Sequence, residues 1–187
     1  MFSTRPLLAA AALCLHATVA CAADPQDPVK ALFGLVAGKA GADYFAGKQL
    51  DRLYSESFAL TYRITEKVSE MSEAEMMLDF DPIIGGQDSC DVKDIAIRAL
   101  PAVGAGEDGY VPVEASFDAM SCFEGSEKAP KTKRTFRVIE EKGQYVIDDV
   151  LDTTTDDAGK AVTLKELLVG IAAGDMNRVA KLGAGTP

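Results

Sequence analysis

The side chains able to do chemistry in this chain are carboxylates, phenols and one pair of cysteines. The 187 residues contain four cysteines, five tyrosines and one histidine. That histidine, His16, lies in an N-terminal stretch with the form of an export signal. Arg5 gives the positive start, Leu7 to Val19 the apolar run, and Ala20, Cys21 and Ala22 a small-residue cleavage site. Cleavage there starts the mature chain near Ala23 or Asp24 and removes His16. Every mechanism that needs an imidazole is then excluded, including Ser-His-Asp triads, Cys-His dyads and histidine metal sites. What remains for acid-base work is an Asp or Glu paired with Tyr44, Tyr54, Tyr62, Tyr110 or Tyr145. A carboxylate base with a phenol donor is the chemistry of isomerases and dehydratases.

The mature cysteines are Cys90 and Cys122, an even pair in an oxidising compartment, and a disulfide is the expectation. Apolar residues alternate at Ile95, Ile97 and Ala99, and again at Val111, Val113, Ala115, Phe117 and Ala119. Gly104 to Gly109 has the composition of a turn. A hairpin folded about Gly106 sets Ile95 opposite Phe117, Ile97 opposite Ala115, Ala99 opposite Val113 and Arg98 opposite Glu114. The same register sets Cys90 opposite Cys122. Wide sequence spacing and the acidic neighbours Asp91 and Glu124 favour a structural bond over a redox-active one. An alternative end-point for the signal is acylation of Cys21. The residues before it, Thr18, Val19 and Ala20, lack the leucine that bacterial lipoproteins normally carry there.

Other chemistries find no matching pattern. Asp148, Asp149, Asp152, Asp156 and Asp157 form an acidic cluster, but an EF-hand with Gly159 in sixth place starts at Thr154 and puts Lys165 where a bidentate Glu is required. A solvated acidic loop is the reading, with no metal and no cofactor. Phosphate-cradling glycine motifs are absent. The net charge of −10 repels nucleic acid and anionic headgroups. After the signal no apolar run approaches the roughly 20 residues of a membrane span.

The elements that position these groups follow from periodicity. Asp27 and Pro28 start a helix carrying Val29, Leu32, Phe33 and Val36, ended by Gly38 or Gly41. A second helical region spans Tyr44 to Tyr62, with Leu50, Leu53 and Tyr54 as an inner face that Phe58 and Tyr62 continue after Ser55 to Ser57. Ser72 and Glu75 form a capping box for a short helix with Met76 and Met77. The period then changes. The Cys90–Cys122 hairpin is followed by a second, with Phe136 and Val138 on one arm, Lys142–Gly143 as the turn, and Tyr145 and Ile147 leading to Val150. Asp152 to Gly159 is a polar loop, and Leu164, Leu167, Leu168 and Ile171 mark a last helix. The expected fold is α+β, with a curved antiparallel sheet of about four strands packed against N-terminal helices. It forms one domain over residues 23–182, after a signal at 1–22 and before a frayed tail at 183–187.

The stretch Asp79, Phe80, Asp81, Pro82, Ile83, Ile84, Gly85, Gly86, Gln87, Asp88 and the later run Gly143 to Val150 (GQYVIDDV) resemble the bacterial envelope family catalogued as domain of unknown function 3828. The similarity runs from about Pro28 to Ile171. It implies a cone-like sheet wrapped around helices, as in the nuclear-transport-factor-2-like and cystatin-like folds. Such shapes host enzymes, binding modules and assembly domains alike. In the Asp79–Asp88 segment, Pro82 moves Asp81 out of helical conformation and Gly85–Gly86 permits a sharp turn. Its aspartates either cap backbone amides while Ile83 and Ile84 plug the core, or Asp81, Gln87 and Asp88 converge as ligand-binding groups at the mouth of the cone.

The functional expectation is a periplasmic or secreted, non-enzymatic domain without catalytic residues, binding another cell-envelope protein or a small apolar ligand. The alternatives are a small carboxylate–tyrosine enzyme of isomerase or dehydratase type, and an immunity or inhibitor protein with an acidic binding face.

Overall fold

The computed structural model describes residues 23–37, 44–45, 47–74, 77–88, 90–124, 130–155 and 159–183. The expected export signal at 1–22, with Cys21, and Gly38, Gly41, Glu75, Met76, Asp156, Asp157 and the tail beyond Gly183 lie outside the described residues. Helix α1 (Asp27–Val36) carries Pro28 in its first turn and buries Val29, Leu32, Phe33 and Val36 along one stripe. Gln26, not Asp27, occupies the cap position. Its backbone N–H is taken by the Asp24 carboxylate at 2.9 Å, so the acidic cap lies two residues earlier in the chain.

The second helical region divides into α2 (Gly47–Leu53) and α3 (Glu56–Met71). The break comes at Tyr54–Ser55, where extended backbone lets the Ser55 hydroxyl accept the Phe58 N–H at 3.0 Å, a serine N-cap. Helix α3 continues nine residues beyond the expected end at Tyr62, and Ser72 closes it rather than opening a further helix. Its hydroxyl donates to the Ser69 carbonyl at 3.0 Å. The apolar spacing beyond Tyr62 is sparse because Thr65, Ser69 and Ser72 are buried there through hydrogen bonds.

Strands β1 (Lys93–Ala99), β2 (Val111–Asp118), β3 (Thr132–Glu141) and β4 (Gln144–Val150) form one antiparallel sheet in the order β1-β2-β3-β4. The α+β class and four-stranded sheet are as the sequence predicts. Ile97 pairs with Ala115, Arg98 with Glu114 and Ala99 with Val113, the expected register. Toward the cysteines the ladder slips by one place between Lys93 and Ala96. The disulfide Cys90–Cys122 nevertheless closes beyond the strand ends, with a Cα–Cα distance of 5.6 Å, beside a Cys90 N–H to Ala119 carbonyl bond of 2.8 Å. Between β3 and β4, Lys142 (φ 55°) and Gly143 (φ 77°) make the two-residue turn that matches the twist of antiparallel strands.

The expected polar loop after Asp152 holds a short ribbon, β5 (Thr154–Thr155) paired with β6 (Ala161–Val162). Helix α4 (Leu164–Gly183) follows and lies along α3. The core forms where helices cover the apolar face of the sheet: Val113, Ala115 and Phe117 of β2 and Phe136 and Val138 of β3 are all fully buried. Phe33 of α1 meets Phe117 at 5.0 Å and Phe136 edge-on at 6.1 Å. Truncating so enclosed a ring costs about 3–5 kcal/mol. A second aromatic layer, in which Tyr54 stacks on Phe58 at 4.7 Å, ties α2 to α3.

Candidate functional site

Asp81 stands at the centre of the predicted site. The turn brings its backbone N–H to the Gly86 carbonyl (2.9 Å) and the Gly85 N–H to its own carbonyl (2.7 Å). Asp81 Oδ1 accepts from the N–H groups of Ile83 and Ile84, at 2.8 and 2.9 Å. Its Oδ2 accepts from the Tyr44 hydroxyl at 2.7 Å. Both oxygens serve the fold. Ile83 and Ile84 are thereby held in the core, at 0% and 3% exposure. Burial and then the bond to Asp81 push the Tyr44 phenol well above its usual range, so it stays a donor. Tyr54 is also raised, by burial first and the Asp81 and Tyr62 charges next, and its hydroxyl has no hydrogen-bond partner among the described residues. Gln87 and Asp88 sit past the turn on the exposed surface.

Arg134 joins this cluster. It occupies the same side of β3 as the buried Phe136 and Val138, opposite Ala115, and so ends the apolar face of the sheet with a cation. Its guanidinium lies against Gly85, whose φ of 89° and bare Cα make the approach possible; a methyl group there would collide with Nη2. Burial lowers its pKa, against the attraction of Asp152 and Asp81. It forms no ion pair within 4.0 Å among the described residues, and its one hydrogen bond runs from Nη1 to the Lys133 carbonyl at 3.1 Å. No local pattern marks this residue, because Gly85 and Asp81 lie 49 and 53 positions earlier in the chain.

The acidic cluster is built into the fold. Between Arg137 and Val138 the β3–β4 ladder slips, and Asp148 is the extra residue of a β-bulge. Its Oδ1 accepts from Ser55 Oγ and from Lys165 Nζ, each at 2.6 Å, and its Oδ2 meets Arg137 Nε at 3.4 Å. One carboxylate thus links the start of α3, the start of α4 and β3. Arg137 in turn lies 4.5 Å over the Tyr110 ring. Asp149 accepts from the Lys165 N–H at 3.0 Å, and burial raises its carboxyl above the usual value. Asp152 accepts from Thr135 N at 2.9 Å. The predicted solvated loop is therefore, in its described part, a set of ties among strands and helix starts.

A different kind of surface lies along α3 and α4. Thr65 Oγ1 donates to the Leu168 carbonyl at 3.1 Å and Ser69 Oγ to Asp175 Oδ2 at 2.6 Å, so the two helices advance side by side in the same direction. Asp175 also pairs with Arg178. Flanking that seam, Leu60, Ile64 and Met71 of α3 and Val169 and Met176 of α4 are each 50–60% exposed. The steps of four and seven residues hold them to one stripe per helix. No described helix is long and apolar enough to cross a membrane.

No family model, no curated protein and no solved structure matches this chain.

Proposed function

We propose that this domain is a non-enzymatic binding or assembly module of the cell envelope that captures an amphipathic helical segment of another envelope protein on the outer face of α3 and α4. The observation that carries the reading is the pair of apolar stripes, Leu60–Ile64–Met71 and Val169–Met176, lying outside a core already filled by aromatic rings. Exposed apolar patches rimmed by charge mark protein contacts, and two parallel helices offer a groove into which a third can lay its apolar side. Export to an oxidising compartment accords with the disulfide. Membership of the envelope family that the Asp79–Asp88 and Gly143–Val150 stretches resemble is part of the proposal. The net charge of −10 suits a partner with basic flanks, and this joins the reading to the immunity or inhibitor alternative.

The carboxylate–tyrosine enzyme alternative draws on the 2.7 Å contact of Tyr44 with Asp81. Against it, both oxygens of Asp81 are committed to Ile83, Ile84 and Tyr44. The test is a photo-crosslinking residue placed in turn at Ile64, Val169 and, as a control outside the stripes, Lys133, in the exported full-length protein in its native host. The expected result is one discrete adduct at positions 64 and 169, lost when Met71 and Met176 are changed to Lys, and none at 133. Adducts that persist in the lysine variant, or fail to form at 64 and 169, would overturn the reading.

A further inference from the structure

Two hollows of about 340 and 280 Å³ adjoin on the flank of the molecule. Both are walled by Arg52, in the last turn of α2, and by Gln144, at the start of β4. Together they make one trough with a guanidinium and a side-chain amide at its midpoint. On one side of that midpoint lie Ala59, Leu60 and Val146, and on the other Pro28, Ala31 and Leu53. The volumes are those of small-molecule sites, which combine apolar walls with a few convergent polar groups.

The charges around the trough sort themselves unevenly. Asp51 pairs with Arg63 at 2.6 Å, Glu56 with Lys142, and Asp24 with Lys30 at 2.8 Å, while Asp27 lies 3.9 Å from the same lysine. Glu141 accepts the Glu56 N–H, at 3.2 Å to its nearer oxygen. Arg52 alone among the described cations of the trough has neither an ion pair nor a hydrogen bond. A planar five-donor group left uncommitted, with Leu60 and Val146 on one side and Pro28, Ala31 and Leu53 on the other, suits a carboxylate with an apolar body. We infer that the trough is a binding site for an apolar monocarboxylate, held by a forked contact from Arg52 with help from the Gln144 amide. The carboxylate could belong to a medium-chain fatty acid or to a peptide ending in an apolar residue. The lining acids are engaged with Lys30, Arg63, Lys142 and the Glu56 N–H, which leaves Arg52 as the positive group open to that carboxylate.

The site goes beyond the α3–α4 partner face; it shares Leu60 with the α3 stripe, but the two fail separately, since Arg52 lies on neither stripe and Ile64 and Val169 line neither hollow. The experiment is a calorimetric and NMR titration of the mature full-length protein with octanoate, octan-1-ol, acetyl-Ala-Leu and acetyl-Ala-Leu-amide. The expected result is saturable binding of octanoate or acetyl-Ala-Leu, with shifts of the Arg52 Nε–H and Gln144 side-chain amide signals. The neutral counterpart should bind about tenfold more weakly or worse. Arg52→Gln, at an exposed position, should keep the melting temperature and lose affinity by a similar factor, and Arg52→Lys should fall between. Whichever carboxylate binds more tightly names the source. Equal binding of charged and neutral probes, undiminished binding by Arg52→Gln, shifts confined to other residues, or no binding by either carboxylate would each overturn the assignment.

Discussion

Replacing both cysteines, Cys90→Ala with Cys122→Ala, should cost this fold several kcal/mol without changing its native contacts. The bond spans 32 residues and encloses β1, the Gly106–Asp108 turn and β2. On the chain-entropy model, a loop of that length removes about 12 cal/mol/K from the unfolded chain, or about 3.7 kcal/mol at 25 °C. Cys90 is buried, so the loss of its sulfur contacts adds a smaller packing cost. For a protein of this size the expected fall in melting temperature is roughly 7–15 °C. Urea unfolding followed by circular dichroism gives the free energy directly. It supplies a second signature, because an uncrosslinked denatured chain is more expanded and the m value should rise. A loss below about 1 kcal/mol with an unchanged m value would refute the reasoning, since the bond would then not restrict the unfolded state.

Four further outcomes follow from the same geometry. Asp81→Ala leaves Ile83 and Ile84 without their acceptor and should destabilise by about 1.5–3 kcal/mol in urea melts, with Asp81→Asn retaining most of the stability. Gly143→Ala should cost about 1 kcal/mol from positive φ alone, and Gly85→Ala more, because Arg134 must also move; thermal melts of the pair separate strain from collision. The Asp175 carboxyl is held below its ordinary value of 3.8, first by Ser69 and then by Arg178, so it stabilises the folded state above that value and this contribution is lost as the pH falls below it. Asp175→Asn should therefore be destabilising near neutrality and approach the native protein as the pH drops below 3.8, measured by urea titration at each pH. Asp149 has the opposite sign: burial raises its carboxyl, so its ionisation opposes folding as the pH rises through the raised value. Asp149→Asn, which keeps an acceptor for the Lys165 N–H, should match or exceed native stability at neutral pH and lose that advantage in acid.

The sheet was largely legible because alternation has a period of two and a slip of one place would turn every apolar residue outward. Val113, Ala115 and Phe117 could face only one way, and Ile97 and Ala99 followed. The two irregularities, at Lys93–Ala96 and at Asp148, left no mark in that pattern. The one at Asp148 serves a contact the local pattern does not record, with a serine 93 positions earlier in the chain. The helical half was less legible where polar residues are buried. Thr65, Ser69 and Asp175 carry no apolar signal, yet they form the seam between α3 and α4. In the candidate site Asp81 could be singled out from Pro82 and the two glycines. Tyr44, 37 positions away, and Arg134 could not, because no local pattern records a partner brought in by the tertiary fold. Gln87 and Asp88 lie on the surface, past the bridge that closes the turn at Gly86 and before the chain returns to the core at Cys90 and Val92.

The slip near Lys93 bears on how the molecule behaves in a crowded compartment. Strand β1 is the outermost of its sheet, and its free rim would template the strands of neighbouring copies if it were flat and straight. Asp94 at a φ of 50°, the mismatched step beside it, and the cations of Lys93 and Arg98 along the rim make it a poor template. Straightening that rim with a β-branched residue at position 94 would invite filament growth from molecules that are otherwise folded.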